Sequence, residues 1–550
     1  MTTQINILLQ KSLEQLQIGN LEAAEEIISG ALKDQPRHFD CLHILGVIKG
    51  MQGNSLESIK ALKAASEIKK NDFGVQFNLA KALMEIGDFE GSLIHHRKAI
   101  SLNPNNPDCF VNYAKSLNEV GQLAEAVDIY EKALRIKPSD FEIWLFKGLV
   151  LNESSRYEEA LQALDSALKI NPNFPPALFT KGVVFYDLGR FEDAIAQYEA
   201  ALKLDQNNPQ FWFNKGLAHH ELKQYEKASQ AYGRAIELHP AYADAQFGDA
   251  LTRLTLGDLG VGLKKFEARW LKTNPPAHLH PELPLLNNLD QVSGKTVLVW
   301  EEEGFGDAIQ FCRFIPKLVE LGAKIIFETR PELASFLGSL ENISLISRGE
   351  QFEGVDYQVP LQSLPLLFNT TIPTIPYSGR YLSVSAGQIR QWADRLNLKK
   401  DKLNIGVATF INPKYVNSPV AKRAMPLAAL EPVLEIANLF VIQKSIPQSD
   451  MDFIDKHQEI ISLGDEIHDF SDSAAIIENM DFVIAVDTSL AHVAGALEKP
   501  VLIVLPWSGD WRWFLDPSKT PWYSSATLFR QNTAGNWSEP IARLMQVLKG

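Results

Sequence analysis

Small residues recur at a fixed step of 34 through the first half of the chain, at Ser12, Gly46, Ala80, Ala114, Gly148, Gly182, Gly216 and Ala250. Twelve residues after each comes a second small position: Ala24, Ser58, Ser92, Ala126, Ala160, Ala194, Ala228 and Gly262. Seven further on, Ala31, Ala65, Ala99, Ala133, Ala167, Ala201 and Ala235 recur, and the eighth unit carries Arg269 there. Pro36, Pro104, Pro138, Pro172 and Pro240 close five units, where a missing N–H and a fixed φ stop a helix. The pattern predicts two antiparallel helices per unit, small where they cross, with Tyr130, Tyr198, Tyr232 and Phe266 filling the gap to the next pair. Eight such units make an all-α solenoid over residues 1–274.

The last unit decays at Gly260 and Gly262 and ends in EARW, Glu267–Trp270; a linker rich in proline, 275–294, follows. From Lys295 the pattern changes to short β-branched and aromatic runs separated by helical stretches. Strands are predicted at Thr296–Trp300, Lys324–Thr329, Ser344–Ser347, Asn404–Thr409, Leu439–Gln443, Phe482–Val486 and Val501–Leu505. Strands alternating with helices imply parallel sheets, and the break at Pro360–Leu382 divides them into two Rossmann-like lobes, 295–382 and 383–550. Ligands of such sheets bind at the strand C-termini, here in a cleft between the lobes.

Composition narrows the function classes. With 45% hydrophobic and 22% charged residues, the 550-residue chain is that of a folded, multidomain protein. A net charge of −14 argues against binding nucleic acid or an anionic membrane, which needs a basic face, although a local basic pocket remains compatible. Cys41, Cys109 and Cys312 are too scattered for a disulfide framework or a zinc cluster, which fits a reducing compartment. His95, His96, His219 and His220 lack partner ligands at metal spacing and read as packing or surface residues, so no metal site is expected. The N-terminus lacks a leader pattern and no apolar run reaches membrane-spanning length, so a cytoplasmic location is expected.

Three strand-end loops carry candidate chemistry. EEEGFGDAIQF, Glu301–Phe311, has Gly304 and Gly306 for a tight turn, and Asp307 as either a helix cap or a carboxylate that takes a proton from an attacking hydroxyl. Its spacing is wrong for a dinucleotide fingerprint, and the three carboxylates ahead of it would repel a phosphate. NPKYVNSPVAKRAMPL, Asn412–Leu427, gathers Lys414, Lys422 and Arg423 into a diphosphate clamp or a solvated basic loop, with Gln443 and Lys444 ending the next strand on the same side. In DFVIAVDTSLAHVAGALEKPVLIVLP, Asp481–Pro506, the residues Asp487, Thr488 and Ser489 open a helix whose free N–H groups and positive dipole end suit a phosphate. His492, one turn in, either faces the cleft or packs as a hydrogen-bonded core residue.

The repeats resemble tetratricopeptide repeats from about Ile5 to about Asn274. VDTSLAHVAGALEKPVLIVL resembles the donor-side motif of the family 9 glycosyltransferases, the heptosyltransferase relatives, and GFGDAIQF resembles the same family's N-terminal Gly-Asp loop. With DWRWF at Asp510–Phe514, PWY at Pro521–Tyr523 and LFRQ at Leu528–Gln531, the whole chain looks like a bacterial group of repeat-containing glycosyltransferases. The resemblance implies a two-lobed GT-B fold, inversion at the anomeric carbon, Asp307 as general base, and a nucleotide-sugar as substrate, with no cofactor. Ser489 departs from the glycine usual in the heptosyltransferase motif. The five tryptophans between Trp507 and Trp537 either pack the C-terminal segment or stack on a base or sugar. In the eukaryotic protein O-GlcNAc transferases, asparagines at the repeat position of Asn78, Asn112 and Asn214 hold the acceptor backbone, which implies the same role here; the other reading is repeat consensus, since Phe146 and Thr180 interrupt the series.

Two functions from different classes follow. The first is a metal-independent glycosyltransferase acting on a protein or peptide acceptor recruited by the repeats, with the departing diphosphate held by Asp487–Ser489, Lys422, Arg423, Lys444 and His492. The second is a scaffold whose repeats bind partners and whose lobes bind a nucleotide, or nothing, without turnover. They differ in whether Asp307 and Ser489 face each other closely enough for a base to reach the acceptor.

Overall fold

The computed structural model describes residues 2–302, 304–399, 401–410 and 423–550. Met1–Ala218 and His219–Gly550 form two compact units.

The first unit carries helix pairs at the predicted step, from Thr2–Gln17 with Leu21–Asp34 to Pro175–Asp187 with Phe191–Leu204. Their small positions are where the paired helices come closest. A Cβ on Gly46 would sit 2.5 Å from Leu62 Cγ, and one on Gly182 2.5 Å from Tyr198 Cε1, so even a methyl group is too large. Serine at these positions adds a tie: Ser12 Oγ donates to Ala24 O at 3.0 Å and Ser58 Oγ to Gly46 O at 2.7 Å. Asp72, Asn106 and Asp140 cap the first helices of successive units by accepting from backbone N–H groups. His95 Nδ1 lies 2.7 Å from Gln76 Oε1, and His96 is buried between Phe77 and Tyr113.

The second unit begins with helices Tyr225–Leu238, Ala243–Thr255 and Leu259–Phe266 and continues into two all-parallel sheets. The first sheet has strands β1 (Thr296–Trp300), β2 (Lys324–Thr329), β3 (Ile343–Ser347) and β4 (Tyr357–Pro360) in the order β3-β2-β1-β4. The second has β5 (Leu403–Ala408), β6 (Ala437–Val441), β7 (Ile460–Ser462), β8 (Phe482–Ala485), β9 (Val501–Leu505) and β10 (Ala526–Arg530) in the order β10-β9-β8-β5-β6-β7. The seven predicted strands are present. β6 starts and stops two residues earlier than predicted, because its pairing with β5 ends at Val407–Val441 and Gln443 turns its side chain to other work. Strands β4, β7 and β10 lie at or beside sheet edges. The first is closed by Pro360 and the second is only three residues long, so neither has enough alternation to be seen in sequence.

One core joins the end of the repeats to the first lobe: Leu254, Leu263 and Phe266 are buried in the same cluster as Val297, Val299 and Ile309. Arg269 is 3% exposed and forks onto Glu302 at 2.8 and 2.9 Å, with further bonds to Glu267 Oε1 at 2.6 Å and Ser363 Oγ at 2.7 Å. Three of the five C-terminal tryptophans, Trp511, Trp513 and Trp522, are buried, so packing is their role. Arg313, on the first lobe, donates to Trp522 O at 2.7 Å and Tyr381 Oη at 3.0 Å and fixes that segment against it. Among the described residues no helix is long and apolar enough to cross a membrane.

Candidate active site

The loop after β1 and the loop after β8 meet at a cleft of about 540 Å³. Gly304 sits at φ 101°, a conformation L side chains rarely adopt, and starts the helix Phe305–Phe311; Asp307 falls in the first turn of that helix and is not its cap. A Cβ on Gly304 would lie 2.8 Å from Asp307 Oδ2, and one on Gly306 2.7 Å from His492 Cδ2 and 3.5 Å from Ser489 Cα. The two glycines therefore allow two close approaches: the carboxylate folding back on its loop, and the loop pressing on the Ser489–Ala496 helix. Asp307 and Ser489 line one cleft with no gap to be closed between their loops.

Charged side chains form an alternating chain across this cleft. Asp487 Oδ2 is 2.8 Å from Arg423 Nη1; Arg423 Nη2 is 3.0 Å from Asp510 Oδ2; Asp510 Oδ1 is 2.9 Å from Arg512 Nη1; and Arg512 Nη2 is 2.5 Å from Asp307 Oδ1. Gln362 Nε2 donates to the other Asp307 oxygen at 3.3 Å. Three carboxylates share two guanidiniums, so their proton affinities separate. Burial lifts the Asp307 carboxyl to about 6 even against the pull of Arg512, with Asp510 and Glu302 adding to the rise. Burial also raises Asp487, opposed by Arg423. For Asp510 burial is outweighed by Arg512 and Arg423, which hold its carboxyl below the ordinary range. Burial and the nearby Arg512 and Arg313 cations push His492 down to about 3, so its ring is neutral at physiological pH.

His492 is buried, with Nδ1 2.8 Å from Tyr523 Oη and its ring stacked on Trp513, and one edge lines the cleft. Thr488 precedes the Ser489–Ala496 helix and makes no side-chain cap bond; its hydroxyl oxygen is buried without a partner among the described residues. The first N–H groups of that helix have no intrahelical acceptor. Gln443 also lines the cleft, and its Oε1 accepts from the backbone of Thr409 at 2.8 Å and Phe410 at 3.0 Å, bracing the end of β5. Lys444 lines the rim and donates to His468 O at 2.8 Å. Lys414 and Lys422 lie outside the described residues.

Of the three carboxylates ahead of the glycines, Glu303 lies outside the described residues, and Glu301 and Glu302 behave differently from the sequence expectation. Glu301 is paired with Arg330 at 2.8 Å and faces Arg348 at 3.8 Å, and Glu302 is paired with Arg269; both carboxylates are buried anchors of the loop and do not project into the cleft to repel an anion. In the repeats, Asn78 Nδ2 lies 3.0 Å from His43 Nε2 and Asn214 Nδ2 donates to Gln210 O at 2.9 Å, while Ser116 Oγ donates to Asn112 O at 3.1 Å. Both of those amide groups are thus engaged within the chain. Asp510 and Arg512 are not among the sequence-predicted site residues, where DWRWF enters only through the family resemblance; charges alternating with tryptophans on a turn are the available signal.

Residues 467–528, which include the Ser489 helix and both Asp510 and Arg512, match glycosyltransferase family 9 (heptosyltransferase). Tetratricopeptide repeat families match at residues 73–106, 97–128, 113–175, 182–223 and 209–242. Protein FlbA of Caulobacter vibrioides is 22% identical over 334 residues, 55% of this chain and 54% of FlbA, so the chain spans about half the length of that curated relative. A tetratricopeptide repeat protein from Parabacteroides merdae is 17% identical and covers 45% of this chain and 98% of its own, with a TM-score of 0.38. YrrB, described as a TPR protein with an unusual peptide-binding site, is 25% identical, covering 34% of this chain and 96% of its own at a TM-score of 0.29. The chain joins a series of tetratricopeptide repeats to an α/β region that carries a glycosyltransferase family 9 segment.

Proposed function

We propose that the protein is a glycosyltransferase of the GT-B type that moves a sugar from a nucleotide-sugar to a hydroxyl on a protein or peptide, with inversion. The observation that carries this reading is the meeting of Asp307 and the Ser489 helix start in one cleft. A base with its carboxyl raised to about 6 is matched to proton removal near neutral pH. Asp307 takes the acceptor hydroxyl's proton, the hydroxyl oxygen bonds to the anomeric carbon, and the bond from that carbon to the phosphate oxygen breaks with its electron pair leaving on the nucleoside diphosphate. The Thr488 hydroxyl, unpartnered among the described residues, and the N–H groups at Ser489 supply donors, and the Arg423 guanidinium supplies positive charge, where the diphosphate develops its negative charge. Charge stabilisation of that kind does not call on a metal. His492, neutral and held by Tyr523, shapes this pocket and does not protonate the leaving group.

The test is to incubate the purified protein with a panel of nucleotide-sugars and cell extract, measuring nucleotide release and sugar transfer. Transfer by the wild type and its loss in Asp307→Ala supports the assignment. Identical behaviour of the two across the panel removes it and leaves the scaffold reading.

A further inference from the structure

A second cavity, of about 330 Å³, opens beside the cleft. Its walls come from the last repeat helices, at Phe247, Leu251 and Phe266, from Pro275 and Pro276 in the linker, and from the Asp510–Arg512 loop. Gln362 and Arg512 line it too, and both of them touch the Asp307 carboxylate. Arg512 also lines the cleft that contains Asp307 and Ser489. Arg512 and Asp510 are shared by the walls of the two cavities and form the partition between them.

Among the described residues, the charged groups left uncommitted around this second cavity are cationic donors. Arg269 is engaged by Glu302, Glu267 and Ser363, and both Asp510 oxygens are taken by guanidiniums. Arg512 Nε, by contrast, is buried with no partner among the described residues. The Lys272 ammonium rests 5.2 Å from the centroid of the Phe247 ring and has no ion pair among the described residues. An occupant must therefore offer apolar faces to the phenylalanines and prolines, and carbonyl or carboxylate oxygens to Arg512 and Lys272. Extended peptide meets both demands, since its carbonyls are acceptors and its side chains alternate.

We infer that this cavity receives an extended peptide segment whose serine or threonine hydroxyl reaches Asp307 past Arg512, with an acidic residue beside it facing Lys272. The inference rests on the glycosyltransferase reading for the role of Asp307. Opening the partition follows from the charge chain. A diphosphate at the Ser489 helix competes with Asp487 and Asp510 for Arg423; Asp510 then keeps Arg512 as its sole cation and draws it off Asp307. The acceptor thereby meets a free base only after the donor has arrived.

The experiment measures binding of short labelled peptides, with a central serine or threonine flanked by aspartate, glycine or lysine, to the full chain in the presence of a nucleoside diphosphate. Aspartate-flanked peptides are expected to bind best. Leu251→Trp, which fills the cavity, and Lys272→Glu, which reverses its charge, are expected to weaken that binding by about tenfold or more with nucleotide affinity unchanged. Lys272→Glu is further expected to favour the lysine-flanked set, a reversal that damage to folding cannot produce. Equal binding of all peptides to wild type and both variants overturns the inference. Failure of every peptide to bind, with sugar still transferred to a saccharide or lipid, also overturns it and leaves the glycosyltransferase standing. Charge-reversible peptide binding without sugar transfer from any donor would keep the cavity as a peptide site and remove the enzyme reading.

Discussion

Arg512 Nη2 stands 2.5 Å from Asp307 Oδ1, so an arginine of the second lobe holds the carboxylate proposed as base in the first. The pairing stores that carboxylate in an ionised, oriented form, and it also blocks the oxygen that would accept a proton. Removing Arg512 should therefore separate two effects. In Arg512→Gln, slow hydrolysis of the nucleotide-sugar by water is expected to rise relative to transfer, read as the ratio of nucleotide released to sugar incorporated.

The pH dependence follows from the same pair. Asp307 faces Arg512, Gln362, Asp510, Glu302 and Arg423, and burial with this surrounding sets its carboxyl at about 6. In the proposed role the ionised form is the base, so kcat/KM should climb about tenfold per pH unit below about 6 and level off above it. Arg512 lowers the value, so its loss should move the limb to higher pH. Asp307→Asn should reduce transfer by about 10²- to 10⁴-fold and abolish the limb.

Gly306 lies under His492 with no space for a methyl group. Gly306→Ala should push the loop and the Ser489 helix apart, costing about 1–3 kcal/mol of stability and a larger share of activity. Thermal melting followed by circular dichroism, alongside nucleotide binding, measures the two separately.

Arg423 bridges Asp487 and Asp510. Arg423→Ala leaves both carboxylates short of a cation and removes positive charge beside the proposed diphosphate site. Nucleotide affinity should fall by about 2–5 kcal/mol, visible by calorimetry, and Lys at this position should recover only part because it cannot fork between two acids.

Arg269→Met should destabilise the protein by about 3–5 kcal/mol, since Glu302 would be left buried and unpaired. Adding Glu302→Leu should return most of that loss, measured by urea unfolding of the double variant against each single one.

Most of the fold was legible because it is written in periods. A 34-residue step of small residues survives any single substitution, and runs such as TVLVW and VLIVL have no other stable reading than a buried strand. Asp307, Thr488 and Ser489 were legible for a related reason: each ends or follows a strand, and the topology of a parallel sheet carries such positions to one edge. Arg512 was not, because its partner is 205 residues away and no local pattern encodes a contact between lobes. Glu301 and Glu302 misled for the opposite reason. A run of acids looks exposed until the arginines that bury it, Arg330 and Arg269, are brought in from other elements.

Arg269 occupies the repeat slot that holds alanine in seven earlier units, and it uses that slot to grip the strand-end loop leading to Asp307. An array of equal modules can lengthen or shorten by duplication and loss, because an internal unit meets only its own kind. The unit that carries Arg269 has given up that interchangeability. Variation in the number of repeats among descendants of this chain should accordingly fall upstream of it, with the final pair inherited as part of the α/β half.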